Sequence, residues 1–113
     1  MGGVDKPVIW LAGEIRTPPF SKEARVEAGF LLRRLQRGET LGMPHLRSMP
    51  QLGRRVYELR VRDVDQNWRV MVRLDADAVV IADVFSKKTR TTPGKVIEAC
   101  RERLRRYDQA AKG

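Results

Sequence analysis

Four residues combine types and spacing that could do chemistry on a phosphodiester: Glu58, Arg60, Arg69 and Lys87. Metal-free cleavage of RNA needs a base for the 2′-hydroxyl proton, an acid for the departing 5′-oxygen and cations for the charge on the phosphorane. Glu58 has arginines nearby to orient it and is expected to be unburied, which makes it the candidate base. Arg60 and Arg69 are expected to hold the phosphate, since guanidinium forks bind phosphate oxygens in pairs. Lys87 or Arg90 would stabilise the transition state or protonate the leaving group. One histidine, His45, and one cysteine, Cys100, exclude a two-histidine metal centre and an intramolecular disulfide. His45 lies in a Met- and Leu-rich loop and reads as structural. Neither a metal nor a cofactor is expected.

These residues must be positioned by strands. Three strand-like runs, 55–62, 67–74 and 79–86, are separated by hairpin-length connections, so they are expected to form an antiparallel meander. A one-residue slip would turn an apolar set outward, so alternation fixes the pairing. Matching apolar faces sets Leu59 opposite Val70 and Arg60 opposite Arg69. A three-residue turn (Asp75, Ala76, Asp77) then sets Arg69 beside Asp83, with Val80, Ala82 and Val84 on the core face. Two arginines directly opposite each other repel by some tenths of a kcal/mol. Asp83 can neutralise one of them but not both, and the surplus charge makes a seat for phosphate. Lys87 points to the same face by parity, and Lys88 points away. The same residues also fit a solvated sheet face whose arginines pair with Glu58 and Asp83.

The rest of the chain supplies the layers around this face. Residues 7–16 read as a buried strand stopped by Thr17-Pro18-Pro19. Ser21 is a candidate N-cap for a helix with an apolar stripe of Ala24, Ala28, Leu31, Leu32 and Leu35, and Gly38 is its stop. Residues 38–53 read as a connecting loop with room for a short helix. A last helix is expected from Thr92 as N-cap and Pro93 at its first position, burying Ile97, Cys100, Leu104 and Tyr107, with fraying after Asp108. Trp68 falls on the core face.

At 113 residues the chain has room for one domain (1–113, with an ordered core of about 7–107). With 42% hydrophobic and 33% charged residues, neither disorder nor a membrane protein fits. Lys+Arg of 23 against Asp+Glu of 14 gives +9, which implies a polyanionic partner, most plausibly nucleic acid. A lone cysteine fits a reducing, cytoplasmic setting.

The order strand, helix, loop, meander, helix resembles the RelE/HigB superfamily of bacterial toxins. The local sequences Tyr57-Glu58-Leu59-Arg60, Trp68-Arg69-Val70 and Val84-Phe85-Ser86-Lys87-Lys88-Thr89, followed by Thr92-Pro93, look like its phage-derived HigB-type branch. So do Thr17–Ser21 and Leu31–Glu39, and the likeness covers roughly 7–107. The resemblance implies an α+β, RelE-like fold: a small antiparallel sheet of N-terminal strand plus meander, with both helices packed on one face. It implies the toxin of a type II toxin–antitoxin pair, a ribosome-dependent mRNA endoribonuclease held inactive by a cognate helix-turn-helix antitoxin. Arg69 matches the arginine that contacts the scissile phosphate, and Arg60 and Lys87 sit where other basic residues occur. Around them Arg62, Arg73, Lys88, Arg90, Arg101 and Arg105 are expected to bind RNA, the helix arginines gripping ribosomal RNA by charge. Where RelE carries a lysine this chain has Glu58, and where RelE carries a tyrosine it has Val96 and Ile97. The alternative is a non-catalytic basic module, a degenerate member that binds RNA, DNA or a partner protein on the same face.

Overall fold

The computed structural model describes residues 5–12, 20–39, 41–42, 44–64, 66–88 and 91–112. The elements run β1 (Val8–Trp10), α1 (Lys22–Gln36), β2 (Leu46–Ser48), a 3-10 turn (Pro50–Leu52), β3 (Val56–Arg62), β4 (Asn67–Leu74), β5 (Val79–Ser86) and α2 (Gly94–Lys112). Among the described residues the strands form one sheet in the order β1-β5-β4-β3-β2. This is an α+β fold, but not with the all-antiparallel sheet expected. β1 runs parallel to β5, with Val8 opposite Val79, and the sheet is therefore mixed. A fifth strand, β2, forms within the stretch read as a loop. Three residues carry no readable period, and β2 is specified by its partner β3, with Arg47 opposite Glu58.

Alternation built the meander as expected between β3 and β4: Leu59 faces Val70 and Arg60 faces Arg69. The pairing of β4 with β5 differs. The Asp75 N–H donates to the Ala78 carbonyl at 2.9 Å, which leaves two residues rather than three in the turn. Val72 consequently faces Ile81, and a bulge between Met71 and Val72 then shifts the register so that Met71 faces Asp83 and Arg69 faces Phe85. Ile81 takes the core position assigned to Val80, while Val84 keeps its own. Asp83 is thus removed from Arg69, and its Oδ1 lies 3.5 Å from Arg103 Nη1 on α2.

The helices lie on opposite faces, not on one. Ala24, Ala28, Leu31 and Leu35 of α1 pack on Leu59, Val61, Trp68, Val70, Val72 and Ile81. On the other face Cys100 and Leu104 of α2 pack on Val56, Met71, Val80 and Ala82. Both faces carry apolar residues over part of their length, and each needs a covering helix. α1 starts as its sequence indicates: Ser21 Oγ accepts from the Ala24 N–H at 3.1 Å, and Gly38 beyond its end has a φ of 83°. The Ser21 N–H in turn donates to Asp63 Oδ2 at 3.0 Å, and that same oxygen accepts from Trp68 Nε1 at 3.1 Å. Trp68 is buried edge-on against Phe20.

Three further expectations change. β1 is Val8–Trp10, shorter than the run 7–16 read from sequence; residues 13–19, which hold the end of that run and its stop, lie outside the described residues. Thr92 serves elsewhere than as a simple cap: Pro93 directly precedes Gly94, and the Thr92 hydroxyl donates to Glu58. α2 does not fray at Asp108 but continues to Lys112, since Arg73 of β4 binds the Asp108 carboxylate through both of its oxygens, at 2.7 and 3.0 Å.

Candidate nucleic-acid interface

The face carrying α2 is divided along its strands. Val56, Met71, Val80 and Ala82 lie under the helix, whereas Arg60, Arg69 and the residues just past β5 extend beyond it. There Arg47, Arg60, Asn67, Arg69, Lys87, Lys88 and Thr91 line an open groove of about 770 Å³. Five of these seven residues are cations and none is a carboxylate. The two arginines are brought together by the β3–β4 register, and Arg47 reaches the groove from β2. Lys87 is fixed by continuation of the ladder, its N–H donating to the Asn67 carbonyl at 2.8 Å.

Beneath the groove lies Glu58. It is fully buried, which corrects the expectation of an unburied carboxylate. The parity that pointed it away from α1 was right, but Lys87 and Thr92 close over that side. Lys87 Nζ donates to both Glu58 oxygens at 3.1 and 3.3 Å, and the Thr92 hydroxyl donates to Oε2 at 2.7 Å. Arg69 Nε stands 3.4 Å from Oε1, an ion pair without hydrogen-bond alignment. A carboxylate so enclosed cannot reach a substrate hydroxyl. It can fix two of the cations that line the groove.

The arginines are electrostatically loaded. Burial presses the Arg69 guanidinium below the ordinary arginine range; Glu58 opposes this, and the like charge of Arg60 adds to it. The Nε atoms of both Arg60 and Arg69 are buried without a hydrogen-bond partner among the described residues. Buried donors are almost always satisfied; Arg69 Nε faces Glu58 Oε1 across the ion pair, which leaves Arg60 Nε without an acceptor among the described residues.

The other expected residues separate. Lys88 lines the groove rather than pointing away. Arg62 is exposed and lines a second cleft of about 390 Å³ that shares Arg60, Asn67 and Arg69 with the groove and adds Glu27, Pro44 and His45. Arg73 is removed from the groove by Asp75 and Asp108, which hold it in a bidentate network at 2.7–3.0 Å and push its pKa up. Arg101 donates to the Gln51 carbonyl at 3.0 Å, and Arg105 pairs with Glu102 one turn back on α2. Neither lines the groove. Arg90 lies outside the described residues. Sequence reasoning missed Arg47, because the strand that carries it was invisible; His45, read as structural, accepts the Arg60 N–H at its carbonyl at 2.8 Å and walls the second cleft.

Among the described residues no group of three or more His, Cys, Asp or Glu is placed to hold a metal ion, and no helix is long and apolar enough to cross a membrane. Cys100, with no exposed surface, is a core residue.

The family model described as phage derived protein Gp49-like (DUF891) matches residues 18–105. The chain belongs to the Gp49-like family. That family is associated with toxins of toxin–antitoxin systems. The matched span takes in α1, β2 to β5, most of α2 and every residue of the groove, leaving only β1 and the two termini outside. No curated protein and no solved structure matches the chain.

Proposed function

We propose that the chain is the toxin of a type II toxin–antitoxin pair of the RelE/HigB type: an endoribonuclease that cleaves mRNA on the ribosome and is neutralised by a cognate helix-turn-helix antitoxin. The observation that carries this reading is the groove, in which five cations converge with no carboxylate in its lining. Arg60 and Arg69 bind the non-bridging oxygens of the scissile phosphate and gain strength as charge develops there. The 2′-oxygen attacks phosphorus, the bond to the 5′-oxygen breaks, and Lys87 faces the leaving oxygen as a proton donor. Glu58 is a positioning residue, holding Lys87 and Arg69 from below. The 2′-hydroxyl proton passes to solvent water in the open groove, since the Glu58 carboxylate is sealed.

The test is expression of the toxin alone, followed by primer extension on translated mRNA. Growth arrest with new 5′ ends, abolished by Arg69→Ala and by Arg60→Ala, is the expected result, with rescue by the adjacent antitoxin gene. Full toxicity in both variants would remove the site assignment. A second reading, RNA binding without cleavage, is favoured by one feature: the groove lining contains no carboxylate or imidazole to accept a proton. It predicts salt-dependent binding and no new 5′ ends.

A further inference from the structure

We propose that the second cleft is a nucleobase subsite, in which Glu27 selects a base bearing an exocyclic amino group; the inference rests on the RNA-binding reading of the adjoining groove. The two cavities share Arg60, Asn67 and Arg69 as a common wall, so a strand whose phosphate sits on the arginines delivers its neighbouring nucleoside into the second cleft. The cavities differ in chemistry. The groove is lined by five cations, Asn67 and Thr91, whereas the cleft, beyond the shared Arg60, Asn67 and Arg69, adds Arg62, one carboxylate, Glu27, and Pro44 and His45 as flat apolar and aromatic surface. Glu27 is an acceptor that the groove lining lacks, so the phosphates suit the five cations of the groove and a ring with a donor edge suits the cleft. At about 390 Å³ the cleft falls in the range of small-ligand sites.

Glu27 is also aimed. Its Oε2 accepts the backbone N–H of Arg62, the last residue of β3, at 3.1 Å, and the neighbouring Ala28 is buried in the core. The carboxylate is thereby fixed at the end of the strand that carries Arg60. A fixed carboxylate is an acceptor only, and it recognises donor edges. Adenine and cytosine each offer an amino group, and guanine an amino group beside a ring N–H. Uracil offers one N–H between two carbonyl oxygens, which a carboxylate repels.

The experiment measures binding of the purified protein to fluorescent 2′-O-methyl tetranucleotides of A, C or U, which cannot be cleaved, at fixed low salt. The wild type should bind the A and C oligomers about five-fold or more tighter than the U oligomer. In Glu27→Met the gap should close, with U binding unchanged or tighter. Glu27→Gln, which retains an acceptor for the Arg62 N–H, should move partway in the same direction. Glu23→Gln, an exposed acid of the same helix, should leave the preference intact. Binding without base preference, or a preference that survives both Glu27 variants, overturns the subsite and leaves the functional reading standing. No binding of any oligomer overturns the subsite, while the functional reading stands or falls on the primer extension.

Discussion

Glu58 is an acid with no exposed surface whose oxygens receive an ammonium and a hydroxyl while a guanidinium stands close by. Removing its charge leaves Lys87 and Arg69 with an uncompensated buried excess, which typically costs about 3–5 kcal/mol. Glu58→Gln should therefore lose about that much in urea unfolding, a large part of a small domain's stability. Adding Lys87→Gln should restore part of it, giving a coupling of about 1 kcal/mol or more in the double-mutant cycle; strictly additive losses would show that the pair is not coupled. Cys100 offers a second check at this scale. Burial, reinforced by the charge of Asp83 and opposed by Arg103, pushes its thiol up to about 12. It should resist thiol reagents at neutral pH until the protein unfolds, and prompt reaction of the native protein would contradict the packing of α2. What the sequence disclosed here was side-chain direction: alternation correctly placed Arg60 opposite Arg69 and sent Glu58 and Lys87 to one face. Depth was not legible, because burial of Glu58 depends on Lys87 and Thr92 arriving from distant parts of the chain.

At the level of elements, the start of α1, its apolar stripe and the β3–β4 register follow from local pattern. The misreadings arose where a non-local partner decides. β2 exists because β3 offers an edge, and the bulge at Met71/Val72 corrects a parity that a two-residue turn would otherwise spoil. The placement of α2 opposite α1 reflects a second apolar patch split among β3, β4 and β5, which no single strand advertises. One junction between elements is testable by pH. The Asp63 carboxyl, in the β3–β4 connection, is lowered from 3.8 to about 2, mainly by its hydrogen bonds to Ser21 at the start of α1. Because the folded-state value is depressed, the ionised carboxylate stabilises the protein above the ordinary carboxylate range. That contribution disappears as pH falls from 3.8 through about 2. Asp63→Asn should be less stable at neutral pH and should flatten the loss of stability over that interval, read from urea midpoints at successive pH values. A wild-type-like acid transition in the variant would rule out this linkage.

For the whole molecule, +9 is less informative than where the charge goes. Arg73, Arg103, Arg105 and Arg106 are engaged by Asp75, Asp108, Asp83 and Glu102, whereas Arg47, Arg60 and Lys88 of the groove make no ion pair among the described residues. If each of the five groove cations neutralises one phosphate, log K for single-stranded RNA should fall against log salt with a slope no steeper than about −3.5, at about 0.7 per contact. Lys88→Gln should reduce the slope by about 0.7, whereas Arg105→Gln should leave it unchanged. Equal effects of the two would place RNA on the helix instead.

The parallel pairing of β1 with β5 bears on how the protein comes into being. Val79 is made 71 residues after Val8 (79 less 8), so the strand Val8–Trp10 waits through the synthesis of the intervening segment for its partner. Glu58 likewise has neither Lys87 nor Thr92 until those residues are made, so the anchor beneath the groove cations closes only after the meander is complete.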